Sequence, residues 1–166
     1  MLEKFLSLIL CFIIIFSFCS CALTEKGNSL YAFCKRISKL DDSYTITVSG
    51  FIADEEKQTL TKFFTFDEKE FMLQFIMNEE NDITTLHIVF DNINQNNSKE
   101  LNFIKNCISS FIANEETSEA IFTEINIDNC LYTVNFNSRK TKIGNIEIII
   151  DVTEIGTVIS VFQNIP

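Results

Sequence analysis

The sequence predicts an α+β domain: an antiparallel sheet of about seven strands with an N-terminal helix and one or two central helices packed on it. Three observations support this. Runs that alternate apolar and polar residues recur between short polar turns, and stretches of helical period interrupt them only at the start and in the middle. Hydrophobic residues make up 46% of the chain, with seventeen Phe and no Trp, which is ample for a folded core and too much for a disordered chain. Strands that arrive in groups, without alternating helices, favour antiparallel over parallel pairing.

From Ser29 to Leu40 the apolar residues Leu30, Phe33, Cys34, Ile37 and Leu40 fall on one helical face, with Lys35, Arg36 and Lys39 elsewhere. Docking on the following sheet is the ordinary fate of such a helix; lying on a membrane is the alternative. Residues Tyr44 to Ile52 alternate with β-branched and aromatic side chains, and Asp54-Glu55-Glu56-Lys57 turns the chain into Thr59–Phe66, a hairpin. Asp67 to Met77 carries two signals. Asp67 and Glu70 have capping-box spacing with Phe66 and Phe71 as a staple, but Phe71, Leu73, Phe75 and Met77 alternate, and the alternation predicts a strand. The polar loop Asn78–Asp82 leads to another strand, Ile83 to Phe90.

Asp91 to Asn97 is the longest polar stretch. It fails as a calcium loop, since its third position is Ile93 and no glycine occurs at the sixth. Asn97, with Glu100 three residues on, instead reads as the cap of a helix Ser98–Ala113 whose inner face carries Leu101, Ile104, Cys107, Ile108, Phe111 and Ile112. The sequon Asn96-Asn97-Ser98 reads as incidental. After a break at Asn114–Thr117, Ser118–Ile125 reads as a second short helix, with a strand as the alternative. Cys130 to Phe136 alternates as a strand, Ser138–Thr141 turns into a strand Ile143–Val152, and Glu154–Gly156 turns into Thr157–Phe162. Helix followed by strands thus appears twice, without residue-level similarity between the halves.

Ahead of this domain stands Phe5 to Cys21, FLSLILCFIIIFSFCSC, too short for a comfortable membrane span and of the length of a secretory apolar region. Its end, Phe18-Cys19-Ser20-Cys21, resembles the lipobox of bacterial lipoproteins, with Phe18 where leucine is commonest. The resemblance covers only these first twenty-one residues. It implies a signal peptide over 1–20, a diacylglyceryl group on Cys21, and a membrane partner through that lipid anchor, with palmitate-type chains giving stable attachment at the outer face of the cell membrane. Residues 21–28 would be a tether and 29–166 a single domain. An uncleaved anchor over Phe5 to Leu23 and plain secretion remain open beside it; all three export the chain.

Charge is uneven. Lys26, Lys35, Arg36 and Lys39 follow the apolar run, opposed by Glu25, whereas residues 41–166 hold eight Lys/Arg against twenty-one Asp/Glu, a balance of −13. An anionic membrane favours a basic collar with an acidic body held away from it. The same balance leaves no basic stripe to neutralise phosphates, so nucleic acid is not expected as a partner.

Chemistry is sparse. Cys34, Cys107 and Cys130 remain outside the export signal, each on an apolar face, and are read as buried thiols; a Cys107–Cys130 disulfide is the alternative that an oxidising compartment permits. No metal site is expected from three scattered cysteines and one histidine. That histidine, His87, falls on the strand face opposite Leu86, Ile88 and Phe90, and reads as structural rather than as a catalytic base. The carboxylates Asp41-Asp42, Asp54-Glu55-Glu56, Glu79-Glu80-Asp82 and Glu115-Glu116 fall in predicted turns, where solvated acids have no reason to become an acid/base pair. No phosphate loop or dinucleotide fingerprint occurs, and no catalytic residue or cofactor is assigned. The expectation is a lipid-anchored, non-enzymatic binding module of the cell envelope, facing an envelope protein or a cationic ligand; the alternative is an envelope hydrolase using an unidentified carboxylate pair.

Overall fold

In a computed structural model of the chain, residues 28–41, 46–91, 98–131 and 138–164 are described. Helix α1 (Leu30–Leu40) comes first, then strands β1 (Ile52–Asp54), β2 (Thr59–Phe66), β3 (Lys69–Met77) and β4 (Ile83–Phe90). Helices α2 (Ser98–Ile112), α3 (Glu115–Ile125) and the single turn α4 (Ile127–Cys130) follow, then β5 (Ser138–Ile143), β6 (Ile146–Thr153) and β7 (Gly156–Gln163). The seven strands form one sheet in the order β1-β2-β3-β4-β7-β6-β5, every neighbouring pair antiparallel. The α+β fold is the one expected, and the two groups of strands join through β4 and β7.

Alternation divides the sheet into two faces. On one face Phe71, Leu73, Phe75, Leu86, Ile88, Phe90, Ile148, Ile150, Ile159 and Val161 are all buried, and the helices lie over them. Phe33 of α1 meets Phe75 edge-on with ring centroids 4.8 Å apart, and Phe103 of α2 stands edge-on to Phe71 at 5.2 Å while stacking on Phe66 at 4.9 Å. Such contacts are worth roughly 0.5–1.5 kcal/mol beyond area burial. The helices start and stop where local chemistry dictates. Ser29 Oγ accepts from the Ala32 N–H and Asn114 Oδ1 from the Thr117 N–H, satisfying first-turn donors. Ala113 and Asn126, both at positive φ, end α2 and α3.

Two turns set the far end of the sheet. The β2–β3 hairpin closes through Asp67 and Glu68, both at positive φ, as a two-residue turn of the type that matches strand twist. At the β6–β7 turn, Gly156 has φ +155°, and a Cβ there would come within 2.8 Å of the Phe90 carbonyl oxygen. Only glycine lets the start of β7 lie this close to the end of β4.

Four expectations are corrected. The strand placed at Tyr44–Ile52 begins only at Ile52; Tyr44 lies outside the described residues, Ile46 is buried, and Gly50 at φ +87° turns the chain before pairing starts. The strand placed at Cys130–Phe136 is not formed at Cys130, which ends α4: Ile127, Cys130 and Leu131 are buried at helical spacing, and residues 132–137 lie outside the described residues. The turn placed at Ser138–Thr141 is instead the strand β5, whose Arg139, Lys140 and Lys142 suit an exposed edge and hide the alternation. The break at Asn114–Thr117 is shorter than expected, because Asn114 caps α3 directly. The Asn97 cap and the Asn96-Asn97-Ser98 sequon fall partly outside the described residues, as does the polar stretch after Asp91.

Asn28 fixes where the chain enters the domain. Its backbone carbonyl accepts from the Ile83 N–H at 2.7 Å, and its side-chain amide donates to the Ile83 carbonyl and to Gln163 Oε1, each at 2.6 Å. Among the described residues the chain thus enters at the end of the sheet where β4 starts and β7 ends. Residues 21–27 of the expected tether, Cys21 included, lie outside the described residues, among which no helix is long and apolar enough to cross a membrane.

Candidate functional site

The face of the sheet away from the helices is neither polar nor dry. Register aligns Phe63, Met72, Val89 and Val158 in one row across β2, β3, β4 and β7. The next row is Thr61, Gln74, His87, Ser160 and Ile149. Phe63 is 66% exposed, and Ile155, in the β6–β7 turn, 91%. Phe63 and Ile155 wall a groove of about 630 Å³ whose floor is Met72, Val89 and Val158. Three strand spacings separate β2 from β7, so the groove is roughly 14 Å across. Its charged lining residues are Glu70 and Asp91, both exposed and neither in an ion pair among the described residues.

The groove lies at the Phe90 end of β4 and the Gly156 end of β7, opposite the end held by Asn28. Seven residue steps along β4 put about 24 Å between the two ends. Acidic residues are not confined to the groove end: the turns carrying Asp54-Glu55-Glu56 and Glu79-Glu80-Asp82 sit at the Asn28 end, beside the start of β2 and of β4.

His87 lies half-buried on the open face, its Nδ1 2.9 Å from Ser160 Oγ across the β4–β7 pair and its ring edge-on to Phe162. Burial lowers its pKa from the ordinary histidine value. The pair resembles half of a nucleophile–base arrangement, but the neighbours in its row are Gln74 and Ile149, so no carboxylate in that row orients the ring.

The acids and thiols complete the inventory. Asp54 accepts from the Lys57 N–H and ion-pairs with its ammonium at 3.2 Å, which holds its carboxyl below the ordinary range. Glu55, Glu56, Glu79, Glu80, Glu115 and Glu116 are exposed; Asp41 and Asp82 are half-exposed, and Asp42 lies outside the described residues. Glu100, in the first turn of α2, is the one carboxylate among the described residues with no exposure, and its oxygens lack hydrogen-bond partners there. Desolvation raises its pKa against the pull of Lys69, whose ammonium is 3.8 Å away. Two buried acids facing each other in a cleft do not occur among the described residues, nor does a group of His, Cys, Asp or Glu able to hold a metal. Cys34, Cys107 and Cys130 are buried thiols outside any disulfide, with burial pushing Cys34 and Cys130 up to about 11 and Cys107 well above the thiol value.

On the helix side, a cleft of about 470 Å³ runs between α1, α2 and α3 past Arg36, Lys39 and Lys105. Two of these cations are engaged: Arg36 Nε donates to the Ser110 carbonyl at 2.6 Å, and Lys105 pairs with Asp128 at 2.5 Å.

Sequence reasoning did not single out Phe63, Met72, Val89, Val158 or Ile155. A signal was present: in each strand these residues are apolar in the phase opposite to the core set, as Met72 is between Phe71 and Leu73. Among the described residues, fold and groove together define an α+β domain with one sheet face open. No protein-family model matches the chain, and no curated protein or solved structure matches it significantly.

Proposed function

We propose that the protein is an exported, lipid-anchored binding module of the cell envelope that works through the open face of its sheet. The observation that carries the binding role is the row Phe63, Met72, Val89 and Val158, apolar surface left open on a strand face where polar residues would be cheaper to hydrate. The lipobox-like Phe18-Cys19-Ser20-Cys21 supports attachment through Cys21. Asn28 would then mark the membrane side of the domain and the groove the side turned outward. Cationic residues near the entry, Arg36 and Lys39 among them, would favour an anionic surface, although the acidic turns at the same end reduce that attraction.

The test has two parts. The intact mass of the native protein from the membrane fraction is expected to begin at Cys21 and to include acyl groups; a chain beginning at Met1, or one cut elsewhere and found in the medium, removes the anchor. A photo-crosslinker at position 63 in intact cells is expected to capture a discrete envelope component, and one at Lys57 is not. Equal capture from both positions removes the open face as the working surface.

A further inference from the structure

We propose that the groove on the open face receives an extended peptide segment carrying a bulky apolar side chain between lysines or arginines. The inference rests on the open face being the binding surface and names what it binds.

Shape comes first. A volume of about 630 Å³ floored by Met72, Val89 and Val158 accepts one or two large apolar side chains, and the walls Phe63 and Ile155 offer flat contact to either side of them. The strand that carries Phe63 is anchored, because its neighbour Phe64 packs on Phe71 and Phe103 inside the core at 5.7 and 5.4 Å.

Charge selects the partner. Glu70 pairs in register with Thr65 at the end of β3, and Asp91 follows Phe90 at the end of β4, so both carboxylates stand at the same mouth of the groove. Asp151 continues the row of floor residues beyond Val158, and no Lys or Arg lines the groove among the described residues. Residues 41–166 as a whole carry a balance of −13. A segment with cations two or three residues from its apolar anchor would set them against these carboxylates while the anchor is buried. A second copy of this chain would bring the same acids to the same mouth, and like charges at a shared rim disfavour that occupant.

The test uses the full chain in detergent micelles and a fluorescent heptapeptide with a central phenylalanine flanked by lysines, beside a twin flanked by glutamates. Saturable binding of the lysine peptide, weakening with salt, is expected, with the glutamate twin bound at least about tenfold more weakly. Reversing both mouth charges, Glu70→Lys with Asp91→Lys, should reverse that preference. Phe63→Ser and Ile155→Ser, at exposed positions that leave the core intact, should each weaken the lysine peptide severalfold. Equal binding of the two peptides, or binding indifferent to all four substitutions, overturns the proposal. Self-association lost in Phe63→Ser would assign the groove to a second copy and overturn it also. If the position-63 crosslinker still captures an envelope component while the peptides fail, the open face keeps its role and only the cationic segment falls; if both fail, the face reading falls with it.

Discussion

The two faces of the sheet are built from the same strands one residue out of phase, and they differ in what covers them. On the inner face Phe71, Leu73 and Phe75 are buried, and Phe33 and Phe103 from the helices pack on Phe75 and Phe71. On the outer face Met72, Gln74 and Ile76 are half-exposed. The comparison teaches that hydrophobicity in a strand does not by itself locate a core. Burial needs a second layer, and among the described residues the helices supply it on one side only.

The largest effect that separates the faces should come from paired substitutions. Phe103→Ala removes a ring shared by Phe64, Phe66 and Phe71, and is expected to cost about 3–5 kcal/mol in urea unfolding. Phe63→Ser, on the other face, should leave stability within about 0.5 kcal/mol while weakening capture at the groove. Similar losses from both would mean the open face is covered in the native protein.

Gly156→Ala is expected to cost about 2 kcal/mol, since its φ of +155° and the 2.8 Å approach to the Phe90 carbonyl forbid an added Cβ without moving the end of β4. The groove mouth is built on that contact, so the same substitution should weaken peptide binding more than its stability cost explains. Unfolding midpoints and binding measured on the same sample decide this.

Glu100 sharpens the inner side of the comparison. Its folded pKa lies above the unfolded value, so its favourable contribution is complete below the unfolded pKa and is lost as pH rises through the folded one. Glu100→Gln should therefore gain about 1 kcal/mol near neutrality, and the gap to wild type should close as pH falls into the carboxylate range. A gain independent of pH would assign the effect to packing instead.

The smallest expected effect belongs to His87 on the open face. Burial lowers its folded pKa, so its stability contribution is present above the unfolded histidine value and lost as pH falls through the lowered one. His87→Gln should flatten the acid side of the stability profile below the histidine range, and half-exposure keeps the change slight. An unchanged profile would mean that Ser160 accommodates the imidazolium without cost.

Much of this molecule was legible residue by residue. Alternation in Phe71-Leu73-Phe75 outweighed the capping-box spacing of Asp67 and Glu70, and the structure agrees, with those two residues serving a hairpin turn and a strand. The faces of α1 and α2, and the burial of all three domain cysteines as free thiols, follow the same periodic logic. Where that logic failed, the signal was chemically mixed. Cys130 to Phe136 alternates, yet Ile127, Cys130 and Leu131 also fit a helical turn, and at Cys130 packing chose the turn. Strand β5 is an edge, and edges tolerate Arg139, Lys140 and Lys142 where an interior strand would not. The groove was illegible for a different reason: Phe63, Met72, Val89 and Val158 lie on four strands up to 95 residues apart, and only register brings them into one row.

By itself the sequence determined the fold class, the antiparallel habit and the inward faces of α1 and α2, because these depend on propensity and period within a few residues. The tertiary structure alone decided that β7 pairs with β4, that among the described residues no helix covers one sheet face, and that Asn28 clamps the chain at the end opposite the groove. Those outcomes depend on contacts between residues distant in the chain, whose closure entropy and packing no local pattern encodes.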